Sequence, residues 1–274
     1  MIKKALAVML SALGLTACTQ QNKVQEPEPP CALILCYSQT GATRSVAENL
    51  QELTGADIEF IELEDPYDGT FEETIARCQQ EKAEGKLPVL KPLKSDLTQY
   101  DVIYLGFPVW FGTYATPIAS LVKDNDFEGS HIVTFCTFGS GGLQSSTADL
   151  KAALPKAEVT EGYGVRNARV SAAADELPRF LIEGGYIDGD IEPLDDFSEQ
   201  VPVSEGDTAL FNAACGNYQF PLGTPVTVGS RATPDGTEYK FIVSSFNPDG
   251  TESSSAIYVI LKEGAEPEFT QVVR

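Results

Sequence analysis

Three short stretches hold the residues whose types and spacing suit chemistry. The first, YSQTGATRSV (37–46), sets Ser38, Thr40 and Thr43 around Gly41, with Gln39 and Ala42 between them. It lies between a strand-like and a helix-like run. Backbone amides at a helix start lack intrahelical acceptors and sit at the positive end of the helix dipole, so hydroxyls added there suit an anion. The turn carries no lysine and does not read GxxxxGK[ST], so it is not a triphosphate loop, and a GxGxxG dinucleotide turn is also absent. Ser and Thr also cap helices with no ligand present, and that reading stays open for the loop alone. The second stretch, GFPVWFGT (106–113), presents Pro108, Val109, Trp110, Phe111, Gly112 and Thr113. The third, TFGSGG (137–142), presents Thr137, Phe138, Gly139, Gly141 and Gly142. Aromatic rings offer a face to a planar ligand, and glycines let backbone approach its edge. Trp110 also reads as a core aromatic.

Other chemistries are poorly supplied. The only histidine is His131, which opens a strand-like run and reads as structural, so a His-centred triad is not the default. Beyond Cys18 there are five cysteines, Cys31, Cys36, Cys78, Cys136 and Cys215, with no CxxC spacing, which argues against zinc or iron–sulfur chemistry. Cys31, Cys36 and Cys136 fall in strand-like runs and are expected to be buried thiols. The formal charge of −21, from 40 acids against 19 bases, makes nucleic acid and anionic membrane surfaces poor partners.

These loops need elements to position them, and the periodicity supplies a regular alternation. Continuous apolar runs at 31–37, 100–107 and 131–138 read as buried parallel strands. DIEFIELE (57–64) alternates apolar with acidic, as an edge strand does, and 157–170 supplies a fifth strand. Helical spacing appears at 43–54, 70–85, 113–124, 143–154 and 173–185, with Pro117 in a first turn. Five strands alternating with five helices predict a doubly wound α/β sheet, whose ligand sites lie at the carboxyl ends of the strands. All three stretches leave those ends.

Residues 1–17 read as a signal peptide. MIKK is basic, ALAVMLSALGL is apolar but short, and LTAC ends at Cys18 in the pattern of a lipidated bacterial exported protein. An ordinary secretory signal is the other reading. Thr19 in place of aspartate favours the outer membrane, facing the periplasm or the surface. Residues 18–30 form a polar, proline-rich tether. Residues 186–200 are an acidic linker. Residues 201–274 read as a small α+β domain: a helix over 206–218 with Asp207 as its expected N-cap, then an antiparallel meander whose turns include two PDG sequences (234–236 and 248–250). No catalytic cluster appears in it, and a packing or contact role is preferred.

The three loops together resemble the flavodoxin family. YSQTGATRSVAENL is similar to its phosphate loop, YDVIYLGFPVWFGTYATPI to the strand and Pro-x-Trp loop lining the flavin, and TFCTFGSGG to the loop on the flavin's other side. The resemblance covers 31–185. It implies a flavodoxin-like, doubly wound, five-stranded parallel sheet in order 2-1-3-4-5, FMN as cofactor, and a redox partner protein or small-molecule electron donor or acceptor. Ser38–Thr43 would hold the phosphate. Residues 108–113 and 137–142 would hold the ring, with Trp110, Phe111, Tyr114 and Phe138 as alternative stacking faces. It implies an electron-transfer protein with no catalytic acid, base or nucleophile. An NAD(P)H-dependent flavin or quinone reductase and a non-redox exported adaptor are the alternatives. Eight acids and no base within 57–73 read as a solvated edge or as a docking face for a basic partner. The lysine-bearing run 85–99, GKLPVLKPLKSDLTQ, finds no place in the resemblance.

Overall fold

The computed structural model describes residues 31–247 and 249–274. The signal peptide, Cys18 and the tether expected over 1–30 lie outside these residues. Among the described residues no helix is long and apolar enough to cross a membrane.

The first unit is a parallel sheet built from β1 (Ala32–Cys36), β2 (Asp57–Phe60), β3 (Val102–Trp110), β5 (His131–Phe138) and β6 (Glu158–Arg166), in the order β2-β1-β3-β5-β6. This is the 2-1-3-4-5 order that the resemblance implies. A short strand β4 (Thr113–Tyr114) folds back on the end of β3.

Helices cover both faces, because strand side chains alternate and both sets here are apolar. Leu33 and Leu35 of β1 join Ile103, Leu105 and Phe107 of β3 in one core, under α2 (Phe71–Glu84), α3 (Thr116–Asp124) and α4 (Leu143–Ala153). Ile34 and Cys36 join Tyr104, Val133 and Phe135 in the other, under α1 (Ala42–Thr54) and α5 (Ala173–Glu183). Gly106 is obligatory: a Cβ there would lie 2.1 Å from the ring of its neighbour Phe135.

Local signals set the boundaries. Thr70 and Glu73 form a reciprocal capping box at the start of α2, and Gly85 ends it at φ 63°. Pro117 sits in the first turn of α3, but that helix begins at Thr116 rather than 113, because residues 113–114 pair as β4.

The unplaced run 85–99 is a strap along the extension of β2. Lys91 N donates to Glu62 O (2.8 Å), Glu64 N donates to Val89 O (2.9 Å), and Leu63 and Leu90 bridge antiparallel. Lys91 pairs with the Glu62 carboxylate at 2.8 Å, and the amides of Lys94 and Ser95 donate to Glu59. Asp65 pairs with Arg77, Asp57 accepts from Tyr100, and Glu73 serves its cap. Much of the acidic stretch is thus engaged within the chain.

Two further sequence expectations are corrected. Cys31 is exposed, because it precedes β1 instead of lying in it, while Cys36, Cys78, Cys136 and Cys215 are buried. The N-cap of the helix α6 (Glu205–Cys215) is Ser204; Asp207 completes its capping box from inside the helix. His131 stands at the amino end of β5, opposite the three loops, and bonds Thr160 through Nε2 at 3.0 Å.

Residues 186–200 adopt neither helix nor strand, yet they are packed. Tyr186 and Ile187 lie on the second core, Ser198 N donates to Ser230 O (2.9 Å), and Phe197 meets Tyr258 edge-on. The second unit is an antiparallel sheet in order β11-β10-β9-β8-β7. Its strands are β7 (Val201–Pro202), β8 (Thr224–Thr233), β9 (Gly236–Phe246), β10 (Glu252–Lys262) and β11 (Glu268–Val273). Phe211 and Cys215 of α6 join Phe241, Val243, Ile257, Val259 and Phe269 in its core.

Candidate functional site

The first loop turns sharply from β1 into α1. Gly41, the N-cap, has φ 93°, and a Cβ there would meet no atom within 4 Å, so the turn faces open space. Arg44 N donates to Ser38 Oγ (3.1 Å), and Ser45 N donates to Gly41 O (2.9 Å). Among the described residues, the amides of Thr40, Gly41, Ala42 and Thr43 find no acceptor in the protein. Four successive unpaired donors beside an exposed Thr40 suit an anion. The basic residue of this turn does not join them: the Arg44 guanidinium lies over the Phe60 ring, 3.5 Å from its centroid.

Two side chains of this loop are already committed. Gln39 accepts from Tyr37 and donates through Nε2 to Tyr67 O (2.6 Å), which ties the loop to the chain after β2. Thr43 is buried, and its hydroxyl meets that of Thr137, also buried, at 2.9 Å. Gln39 and Thr43 therefore offer a ligand their amides, not their side chains. Ser38 and Thr40 keep hydroxyls that can donate outward.

The second loop is a two-residue hairpin. Val109 pairs with Tyr114 and Trp110 with Thr113, which leaves Phe111 and Gly112 at the turn, both with positive φ (51° and 82°). That combination marks a type I′ turn, whose twist matches the flanking strands. Phe111 is a non-glycine residue in the left-handed region, and its ring is 54% exposed. Trp110 is half-buried and packs edge-on to Tyr37 and Tyr67, with centroids 5.9 and 5.4 Å away. Tyr114 is edge-on to Phe107. Phe138 is buried in the core, so it can offer a ligand only backbone. Of the four candidate faces, Phe111 is the most exposed, Trp110 and Tyr114 are partly buried and Phe138 is fully buried.

The second and third loops meet. A Cβ on Gly142 would lie 2.6 Å from a methyl of Val109, and Gly142 takes φ 123°. Ser145 Oγ donates to Gly112 O (2.7 Å), and Thr113 donates to Asp149 of α4. Pro108 stands beside Thr137 in the sheet register, so both loops leave neighbouring strands at one level. A cavity of about 430 Å³ opens between them, lined by Val109, Gly112 and residues 139–142. The first loop does not line this cavity; it joins the third loop's strand through the Thr43–Thr137 hydroxyl pair.

The outer side of the cavity belongs to the second unit, which sequence reasoning assigned no part in the site. Tyr218 and residues 271–274 complete its lining. Val272 N donates to Ser140 O at 2.6 Å. Nothing in the sequence of β11 marks it for that position.

The flavodoxin family model matches residues 31–180, over half of the chain. The chain belongs to the flavodoxin family. Solved structures similar to it include candidate flavoproteins from Bacteroides uniformis ATCC 8492 (22% identity, TM-score 0.49, covering 55% of this chain and 99% of that one) and Bacteroides eggerthii DSM 20697 (24%, 0.47, 55% and 98%). A flavoprotein from Lactobacillus acidophilus NCFM, solved in complex with FMN, is 23% identical with a TM-score of 0.45 and covers 55% of this flavodoxin chain and 98% of its own. No curated protein matches the chain.

Proposed function

We propose that this flavodoxin-family chain binds FMN and passes electrons, held at a bacterial membrane by lipidation of Cys18. The observation that carries the cofactor is the first loop, with its four amides without acceptors and no lysine. A nucleoside triphosphate needs a cation to offset charge that moves during transfer. A phosphate that only anchors a ring is held by amides and hydroxyls alone. Thr40, Ser38 and the amides of 40–43 fit that task. Residues 108–112 and 139–142 fit the ring, with Phe111 as its exposed aromatic neighbour.

FMN supplies the redox chemistry when bound; the protein orients it and sets its electrostatics. The glycines of the third loop admit close backbone approach, and the exposed Phe111 turn leaves a route for a donor or acceptor. The LTAC sequence ending at Cys18 supports export and lipid anchoring in the cell envelope, with the tether 18–30 giving reach.

The test is a titration of the purified mature chain with FMN, followed by flavin fluorescence and absorption. Quenching with a micromolar or tighter Kd is expected, and no binding at that concentration overturns the reading. Mixing the loaded protein with NAD(P)H then separates a carrier, which does not react directly, from a reductase, which does.

A further inference from the structure

The second unit grips the third loop at the backbone. Val272 N–H donates to Ser140 O at 2.6 Å, so the end of β11 is tied to this loop by a main-chain hydrogen bond. The pairing depends on Gly141: a Cβ there would lie 2.1 Å from Val272 O. Arg166, at the end of β6, fastens both sides. Its Nε donates to Gly139 O (2.8 Å) and its Nη1 to Phe269 O (3.0 Å), while its guanidinium lies 4.2 Å from the Phe269 ring centroid and 5.2 Å from that of Tyr218. Nearby, the buried Arg169 bridges Glu176 of α5 and Glu268 of β11 at 2.8 Å each. Arg166 and the Val272–Ser140 bond therefore fasten the second unit to the loop proposed for the ring edge, and Arg169 ties β11 to α5 beside it.

This attachment leaves space. The cavity of about 430 Å³ between the Val109–Gly112 turn, the 139–142 loop, Tyr218 and residues 271–274 lies within the range of small-molecule sites, roughly 300–1,000 Å³. The Tyr218 hydroxyl points at it, 3.9 Å from where a Gly139 Cβ would stand, and the Tyr218 ring is fixed edge-on against Phe269. With the carbonyls of Gly139 and Ser140 occupied by Arg166 and Val272, the loop is held in one orientation toward the cavity.

We infer that the cofactor site is shared between the two units: Tyr218 and the 271–274 segment form the outer wall of the flavin-ring cleft and contact the ring there. This rests on the FMN reading above. It gives the second unit a binding role in place of the packing role expected from sequence.

Hydrogen exchange of the full mature chain, with and without FMN, tests the inference, together with FMN titration of a Tyr218→Ala variant whose folding is checked by circular dichroism. If the inference holds, FMN slows exchange at 271–274 and at 139–142 alike, and Tyr218→Ala weakens FMN by roughly tenfold, as loss of an aromatic contact does. FMN binding by the wild type with exchange at 271–274 unchanged or faster overturns the shared wall while leaving the FMN reading intact. Absence of FMN binding by the wild type overturns both. If Tyr218→Ala does not fold, the exchange comparison on the wild type still decides.

Discussion

The hydroxyls of Thr43 and Thr137 meet 2.9 Å apart in the buried layer beneath the first loop. One belongs to the first turn of α1 and the other to the end of β5, so this single bond sets the height of the anion cradle against the third loop. Thr43→Val leaves the Thr137 hydroxyl buried without that partner and lowers stability by about 1–3 kcal/mol, read from urea unfolding. The Thr43→Val/Thr137→Val double variant recovers most of that loss, because both polar groups are then gone. A double variant as unstable as the sum of the singles contradicts the pairing.

Thr40 contributes to the cradle without contributing to the fold. Its side chain is exposed and makes no hydrogen bond within the described residues, so Thr40→Ala leaves the melting temperature within about 1 °C. FMN affinity falls roughly fivefold, the equivalent of one hydrogen bond of about 1 kcal/mol. Ser38→Ala affects both quantities, because Ser38 Oγ also accepts from Arg44 N at the start of α1. Isothermal calorimetry beside thermal melts separates the two variants.

Phe111 is held where glycine is preferred. The left-handed conformation costs a non-glycine residue about 1–2 kcal/mol, while the exposed ring gains little from packing. Phe111→Gly therefore maintains or raises stability while weakening FMN and reducing the quenching of flavin fluorescence. A loss of stability with unchanged flavin signals contradicts the assignment of Phe111 to the site. Trp110→Ala lowers stability, because the half-buried Trp110 packs edge-on against Tyr37 and Tyr67.

Glu59 couples the strap to β2. Burial pushes its carboxyl pKa up, but hydrogen bonds from the amides of Lys94 and Ser95 and from the Ser95 hydroxyl, with the Lys94 charge, bring it below the ordinary carboxylate value. The unfolded chain has the ordinary value, about 4.3. Glu59 therefore stabilises the fold fully above that pH and loses its contribution as pH falls through the depressed folded value. Glu59→Gln is less stable than the wild type at pH 7, and the difference narrows below about pH 4. Urea midpoints measured from pH 7 to pH 3 check the convergence.

Strands and helices were legible where one rule decided them. The alternating cores of β1 and β3 follow from continuous apolar runs, and α2 was delimited by Thr70 and Gly85. The first loop was legible as a donor-rich turn from strand into helix, because Gly41 stands there among hydroxyls. What escaped the sequence depended on contacts between distant segments. The strap 85–99 pairs with the segment just after β2 through main-chain bonds that no side-chain pattern announces. Thr43 and Gln39 look like ligand side chains until Thr137 and Tyr67 occupy them. The hairpin at 108–114 was hidden because a phenylalanine takes a turn position that usually signals itself with asparagine or glycine. The docking of Val272 on Ser140 spans more than a hundred residues, and a glycine at 141 hints at close approach without naming the partner.

The strap also has a consequence for assembly. A sheet margin left bare recruits strands from other molecules. Here residues 85–99 pair with Glu62–Glu64 just beyond β2, and Arg166 at the end of β6 bonds Phe269 O of β11, so later parts of the same polypeptide cover both flanks at those places. A partner strand meets those segments there before it reaches the sheet.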